Sequence, residues 1–212
     1  FEHRLDAQTA WFIEDHQVVV VFVNDELNEG ALMVLNQKGV KLVALRCAGF
    51  NNVDIKAAQR LGIEVVRVPS YSPHAVAEHT LALILSLNRK THKAYARMRE
   101  GDMRLDGLMG FDLRGKTVGV IGTGNIGSIV AKILLGFDCR VLAVDTQQSD
   151  SLISAGVSYV DMNALLSESD IVTLHCPLTS DTHHMIGEQS LGLMKDDVML
   201  INTSRGGLID TQ

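Results

Sequence analysis

Three glycines, one acid and one arginine carry the residue types and spacings in this sequence that could do chemistry. TVGVIGTGNIGSIVAKIL places Gly122, Gly124 and Gly127 in a G-x-G-x-x-G spacing, directly after an apolar run and at the opening of a helical one. In that order the spacing signals dinucleotide binding. Gly122 permits a tight turn, Gly124 lets a pyrophosphate approach the backbone, and Gly127 lets helix and strand pack closely. The N–H groups of Asn125 and Ile126 then fall at a helix N-terminus, where unpaired donors and the helix dipole favour an anion. The next apolar run, CRVLAV, ends at Asp145, 23 residues beyond Gly122, where a carboxylate for a ribose is expected. No arginine follows in Thr146-Gln147-Gln148 to welcome a 2′-phosphate, so NAD (NADH) is expected rather than NADP. The competing reading is an ordinary βα turn in which Asp145 caps the following helix.

Arg205 stands at the end of another apolar run, Val198 to Ile201, in the stretch INTSRGGLID. Ligands of open α/β sheets lie beyond the carboxyl ends of the strands, which is where this arginine falls; a plain surface arginine is the alternative. CAGFNN follows a strand-like run in the same way. Gly49 there exposes backbone donors, or the stretch is only a strand-to-helix turn.

These groups need a framework to position them. VVVVFV (Val18 to Val23), KLVALR (Lys41 to Arg46) and IEVVRV read as short buried strands, with helices over ALMVLNQKG, stopped by Gly39, and VDIKAAQRLG, capped by Gly62. After Pro69-Ser70-Tyr71-Ser72-Pro73 the apolar spacing predicts one long helix from His74 to Glu100, then a polar surface loop over GDMRLDGLMGFDLRGK. A second alternation follows: TVGVI, a helix from Asn125, CRVLAV, a short helix, VSYV, another helix, DIVTL and VMLIN. Repeated β-α alternation predicts an α/β protein with two doubly wound parallel sheets, one over 1–71 and one over 72–212.

Composition agrees with a packed core. The 212 residues are 46% hydrophobic with mean hydropathy +0.14, and the net charge of −6 (pI near 5.7) supplies no basic field for nucleic acid or anionic lipid. AVAEHTLALILSLN is interrupted by Glu78, His79 and Thr80 and is not expected to span a membrane. Cys47, Cys139 and Cys176 are widely spaced, form no C-x-x-C pair and sit in apolar surroundings. They read as buried free thiols of a reducing, cytoplasmic compartment, and no metal site is expected.

Taken with LRCAGFNNVD upstream and HCPLTSDTHHMIG and LINTSRGGLID downstream, the glycine loop gives a chain that resembles the D-isomer-specific 2-hydroxyacid dehydrogenases. ALRCAGFNNVDIKAA and RVPSYSPHAVAEHTLALILSLNR are most similar to its bacterial D-lactate dehydrogenase branch. The resemblance implies a flavodoxin-like substrate domain over 1–71 and a Rossmann NAD-binding domain over 72–212. It implies NADH-dependent interconversion of pyruvate and D-lactate. Glycerate, phosphoglycerate or another 2-hydroxy acid is the near alternative, and an NADH-sensing, corepressor-like binding protein the distant one. By resemblance, the amides of Ala48 and Gly49 hold the substrate carboxylate, and Phe50 borders the pocket. Tyr71 contacts substrate, or is simply a hinge tyrosine. Arg205 binds and polarises the substrate, its planar fork suited to a carboxylate and keto oxygen together.

The backbone of His175, Cys176 and Pro177, with Thr182 on the loop beyond, is expected to line the cofactor beside Thr203, Ser204 and Arg205. The long helix is expected to form a homodimer. His79 beside Glu78 is read as structural, and His183 and His184 as a solvated loop. The family's proton-donating histidine and its glutamate would lie downstream of Gln212, and its opening strand and closing helices are not recognised. With Phe1 in place of Met, the sequence is therefore expected to be a fragment, inactive by itself.

Overall fold

The computed structural model describes residues 3–211. The chain divides into two compact units, the first running to Tyr71 and the second beginning at Ser72.

In the first unit β1 (Val18–Val21), α1 (Glu29–Gln37), β2 (Leu42–Leu45), α2 (Ile55–Arg60) and β3 (Glu64–Arg67) alternate, and the strands pair in parallel in chain order. Both helices start at side-chain caps: Asn28 Oδ1 accepts the Ala31 N–H and Asp54 Oδ1 the Ala57 N–H, at 3.0 and 2.9 Å. Each cap satisfies a donor the helix itself leaves unpaired. Leu32 and Leu35 of α1 pack with Val19, Val21, Val43 and Leu45 of the strands.

The valine run is not buried throughout, as its composition suggests. Val19 and Val21 are buried, whereas Val18 and Val20 are 46% and 62% exposed, because successive side chains of a strand face opposite ways. The strand also ends two residues early. The Phe22 N–H goes to Asp25 Oδ2 at 2.7 Å, which draws the backbone out of the ladder.

The second unit holds α3 (Pro73–Arg89), α4 (Thr91–Arg99), β4 (Thr117–Ile121), α5 (Gly127–Gly136), β5 (Arg140–Val144), α6 (Asp150–Ala155), β6 (Ser158–Tyr159), α7 (Met162–Glu168), β7 (Ile171–Leu174), α8 (Glu188–Leu193) and β8 (Met199–Asn202). Its sheet is parallel with order β6-β5-β4-β7-β8. The winding reverses between β4 and β7, the place where such sheets bind ligands. Every residue of those two strands is buried, as expected of central parallel strands covered on both faces. Val118, Val120 and Ile171 pack on one face with Leu81 and Ile84 of α3 and Val130 and Leu134 of α5. Ile121, Val172 and Leu174 pack on the other with Leu165 and Leu166 of α7.

The helix expected from His74 to Glu100 is two helices. Lys90 sits in the left-handed region (φ 51°, ψ 36°) and ends α3 before α4 begins. No glycine or proline marks the break; distant hydrogen bonds hold it. Lys90 Nζ donates to Gly107 O at 2.8 Å, and the buried Asn88 side chain exchanges two 2.8 Å hydrogen bonds with the Phe111 backbone. The segment read as a polar loop is thereby folded back, and its Leu113 is buried.

Of the cysteines, Cys47 and Cys139 are buried as expected, but Cys176 is only partly so, and all three are free. Among the described residues no helix is long and apolar enough to cross a membrane, and no group of side chains is suited to a metal ion.

Candidate functional site

The glycine turn is built by contact between backbones. Gly122 has φ +90°, and a Cβ there would lie 2.6 Å from Cys176 N. A Cβ on Gly127 would lie 1.9 Å from Gly122 O, so α5 can start against the end of β4 only with hydrogen at that position. Gly124 is different: nothing lies within 4 Å of where its Cβ would be. The helix proper starts at Gly127 rather than Asn125, but the turn winds toward it. The Ser128 N–H is the first to find a backbone acceptor, Gly124 O at 3.0 Å. The N–H groups of Gly124, Asn125, Ile126 and Gly127 therefore have no acceptor among the described residues. Open space over Gly124 beside four unpaired donors fits a pyrophosphate.

Asp145 directly follows β5, is half-buried and does not cap α6. Its Oδ2 accepts the Thr123 N–H at 2.5 Å and the Thr123 hydroxyl at 3.0 Å. Its Oδ1 accepts the Gln147 N–H at 3.0 Å and the Thr146 hydroxyl at 3.3 Å. Burial by itself would raise its pKa. The hydrogen bonds from Gln147 and Thr123 outweigh that and hold the carboxyl below its ordinary value, hence ionised. Thr123, the residue between the first two glycines, was not singled out by sequence reasoning, although its place inside the motif was available as a signal.

The ends of β7 and β8 complete this edge of the sheet. His175 is largely buried, with Nε2 3.0 Å from Thr173 Oγ1, and burial lowers its pKa to about 4. It is thus a neutral imidazole near pH 7, unsuited to supply a proton as an imidazolium. The Thr182 hydroxyl donates to Pro177 O at 2.7 Å and accepts the Thr179 N–H at 2.8 Å, so its polar capacity closes the loop after Pro177. Cys176 O accepts the Ser204 hydroxyl at 2.8 Å, joining the two loops.

Around Arg205, Asn202 accepts the Ser204 N–H at 2.9 Å and donates to Arg205 O at 2.8 Å. The Thr203 hydroxyl lies 2.9 Å from Thr80 Oγ1 on α3, whose own proton goes to Val76 O. Thr80 is another contributor that the sequence did not mark. On a loop held in this way, the Arg205 side chain donates only to the neighbouring Ser204 O, at 3.2 Å, and has no carboxylate partner among the described residues.

In the first unit, the N–H groups of Ala48 and Gly49 likewise have no acceptor among the described residues. The loop is held by Arg67, missed in the sequence, whose Nη1 donates to Ala48 O at 2.7 Å and whose guanidinium lies 5.2 Å from the Phe50 ring centre. Tyr71 is 68% exposed. His79, His183 and His184 are also exposed, the last two stacked 3.8 Å apart.

A parallel sheet with this strand order, a glycine turn at its switch point and an ionised acid on the adjoining strand define a dinucleotide-binding fold. The family model for the D-isomer-specific 2-hydroxyacid dehydrogenase NAD-binding domain matches residues 81–212. The chain belongs to that family, and its cofactor is NAD. It is 55% identical over 212 residues to a 2-hydroxyacid dehydrogenase homolog of Schizosaccharomyces pombe and 50% identical over 212 to the D-lactate dehydrogenase of Escherichia coli. All of this chain is covered in both comparisons, and it spans 64% of each relative's length. The apo structure of the E. coli enzyme superposes with a TM-score of 0.91 at 50% identity, covering 100% of this chain and 67% of that one. The Aquifex aeolicus D-lactate dehydrogenase complexed with NAD and lactic acid gives 0.85 at 39% identity, covering 95% and 60%.

Two outcomes are expected. Gly124→Ala should leave the melting temperature near that of the wild type but weaken NADH binding, since the methyl meets only the ligand; Gly127→Ala should lower the melting temperature as well. Calorimetry beside NADH fluorescence titration separates the pair, and equal effects on both properties would contradict the geometry.

Protonating His175 is the second test. Its folded pKa lies below the unfolded 6.5, so its contribution is complete above that pH and is lost as pH falls from 6.5 toward 4. At about 1.4 kcal/mol per pKa unit the loss reaches about 3 kcal/mol. His175→Gln should flatten the melting-temperature profile over that range.

Proposed function

We propose that this chain carries the cofactor- and substrate-recognition elements of an NAD-dependent dehydrogenase that interconverts pyruvate and D-lactate. The observation that carries the reading is Arg205. It is a half-buried guanidinium with no carboxylate partner among the described residues, on a loop clamped at the carboxyl edge of the nucleotide-binding sheet. A cation so placed suits a small 2-oxo acid, whose carboxylate and keto oxygen match a planar pair of donors. In the first unit, the amides of Ala48 and Gly49, which find no acceptor among the described residues, are by themselves suited to a carboxylate, and the E. coli and A. aeolicus relatives are D-lactate dehydrogenases.

Bound NADH would supply the hydride. The residues of this chain then have the following parts. The amides of Gly124 to Gly127 hold the pyrophosphate, and Asp145 receives the adenosine ribose. The backbone of His175, Cys176 and Pro177, together with Thr203 and Ser204, lines the cofactor's path. Arg205 orients the 2-oxo acid and stabilises the negative charge that grows on its keto oxygen. The first unit, through Tyr71, is the substrate domain, and the second is the cofactor domain.

Steady-state NADH oxidation by the product of the complete reading frame tests this, with pyruvate, hydroxypyruvate, a phosphorylated 2-oxo acid and longer 2-oxo acids compared. Pyruvate should give the highest kcat/KM, and D-lactate, not L-lactate, should be the product. Preference for another 2-oxo acid would move the enzyme elsewhere in the family, and binding of NADH without turnover would favour a sensor. In the same assay Arg205→Lys should lower kcat/KM by at least about a hundredfold, near 3 kcal/mol, because an ammonium cannot form the two-pronged contact.

We also propose a homodimer formed through the arm of the second unit. α4 buries none of its residues, and Tyr95, Met98, Met103, Leu105 and Met109 stand 62 to 86% exposed. Apolar exposure of this extent marks an interface. Sedimentation should give twice the chain mass at micromolar concentration, and Met98→Glu with Leu105→Glu should return the monomer.

A further inference from the structure

The Asp145 carboxylate is the end of a longer hydrogen-bond chain that begins on the edge strand β6. Tyr159, the last residue of that strand, packs its ring against the core of the second unit. Its hydroxyl reaches past the end of β5 to the glycine turn after β4, lying 2.8 Å from Thr123 Oγ1. The same hydroxyl accepts the Ser149 N–H at 3.1 Å.

The proton directions follow from counting. Ionised Asp145 can only accept, so the single Thr123 hydroxyl proton is committed to Asp145 Oδ2. The proton between Thr123 and Tyr159 must therefore come from Tyr159. The order is Ser149 N–H to Tyr159, Tyr159 O–H to Thr123, Thr123 O–H to Asp145. Each of the two hydroxyls has one partner on each side and polarises the next.

We propose that Tyr159 is a positioning residue for cofactor selection: with Thr123 it fixes the Asp145 carboxylate against the glycine turn and so sets the preference for NADH over NADPH. This rests on the reading that Asp145 receives the adenosine ribose. A carboxylate free to swing could turn away from a 2′-phosphate and soften the repulsion. One tied to the turn and, through a packed aromatic ring, to the sheet edge cannot. The Ser149 contact also ties down the far end of the loop that begins at Thr146. A phenylalanine at position 159 would keep the packing and lose only the chain.

The test is a double-mutant cycle read by fluorescence titration of NADH and NADPH on the wild type, Tyr159→Phe, Asp145→Ala and the double variant. Thr123→Val, which removes the middle link but keeps the backbone donor, serves as a second route to the same break. Tyr159→Phe and Thr123→Val should each narrow the NADH-to-NADPH affinity ratio by about two- to tenfold, the range of one hydrogen bond. In the Asp145→Ala background, Tyr159→Phe should leave the ratio unchanged. A purely structural tyrosine would lower the melting temperature and weaken both cofactors in proportion, with the ratio intact. If Asp145→Ala collapses the ratio while Tyr159→Phe and Thr123→Val do not touch it, the positioning role is overturned and the ribose reading survives. If Asp145→Ala itself leaves the ratio unchanged, the ribose reading fails and the role of Tyr159 falls with it.

Discussion

Helix α5 touches the end of β4 through backbone alone. The position that a Gly127 Cβ would take is 1.9 Å from Gly122 O, closer than any side chain permits. That contact lets the chain leave a fully buried strand, turn at once and enter a helix with its first amides pointing along the sheet's carboxyl edge. The other features depend on it. With the turn flattened against the sheet, Thr123 meets Asp145, and the position above Gly124 stays open. The backbones of His175 and Cys176 approach Gly122 closely enough that a methyl there would collide with them as well. The unpaired amides of the turn, the Asp145 carboxylate and the β7 loop share one origin.

Much of this was legible in the sequence because it depends on spacing. Parallel strands buried on both faces read as continuous apolar runs, so TVGVI and DIVTL were plain, and the glycine spacing fixed the turn between strand and helix. What escaped depended on contacts distant in the chain. The break at Lys90 carries no glycine or proline, and its cause lies in Gly107 and Phe111. The exposure of Val18 and Val20 follows from which face of a sheet is covered, which composition does not encode.

The site divides in the same way. Gly122, Gly124, Gly127, Asp145 and Arg205 belong to motifs whose residue types are dictated by what they would hold. Thr80, Thr123 and Tyr159 support those residues, as Arg67 supports the Ala48 loop of the first unit, and their types are common ones at unremarkable positions. Thr80 meets Thr203 across more than a hundred residues of chain, so no local pattern announces it. Helix α3 consequently has two tasks, covering one face of the sheet and pinning the loop that presents the arginine.

The saturation of Asp145 has a consequence for how a cofactor is chosen. Its two oxygens already hold four protein donors, so a ribose hydroxyl placed there would meet a carboxylate whose needs are met. The added contact exchanges or shares existing bonds, and its net gain is small. The amides of Gly124 to Gly127 are the opposite case, donors with no acceptor among the described residues. On the proposed reading, attraction resides in the turn and the acid acts chiefly by exclusion. A 2′-phosphate placed there would meet a tethered charge and a carboxyl that does not readily take up a proton. Selection of this kind separates how tightly the nucleotide is held from which nucleotide is held, and leaves the two properties free to change independently.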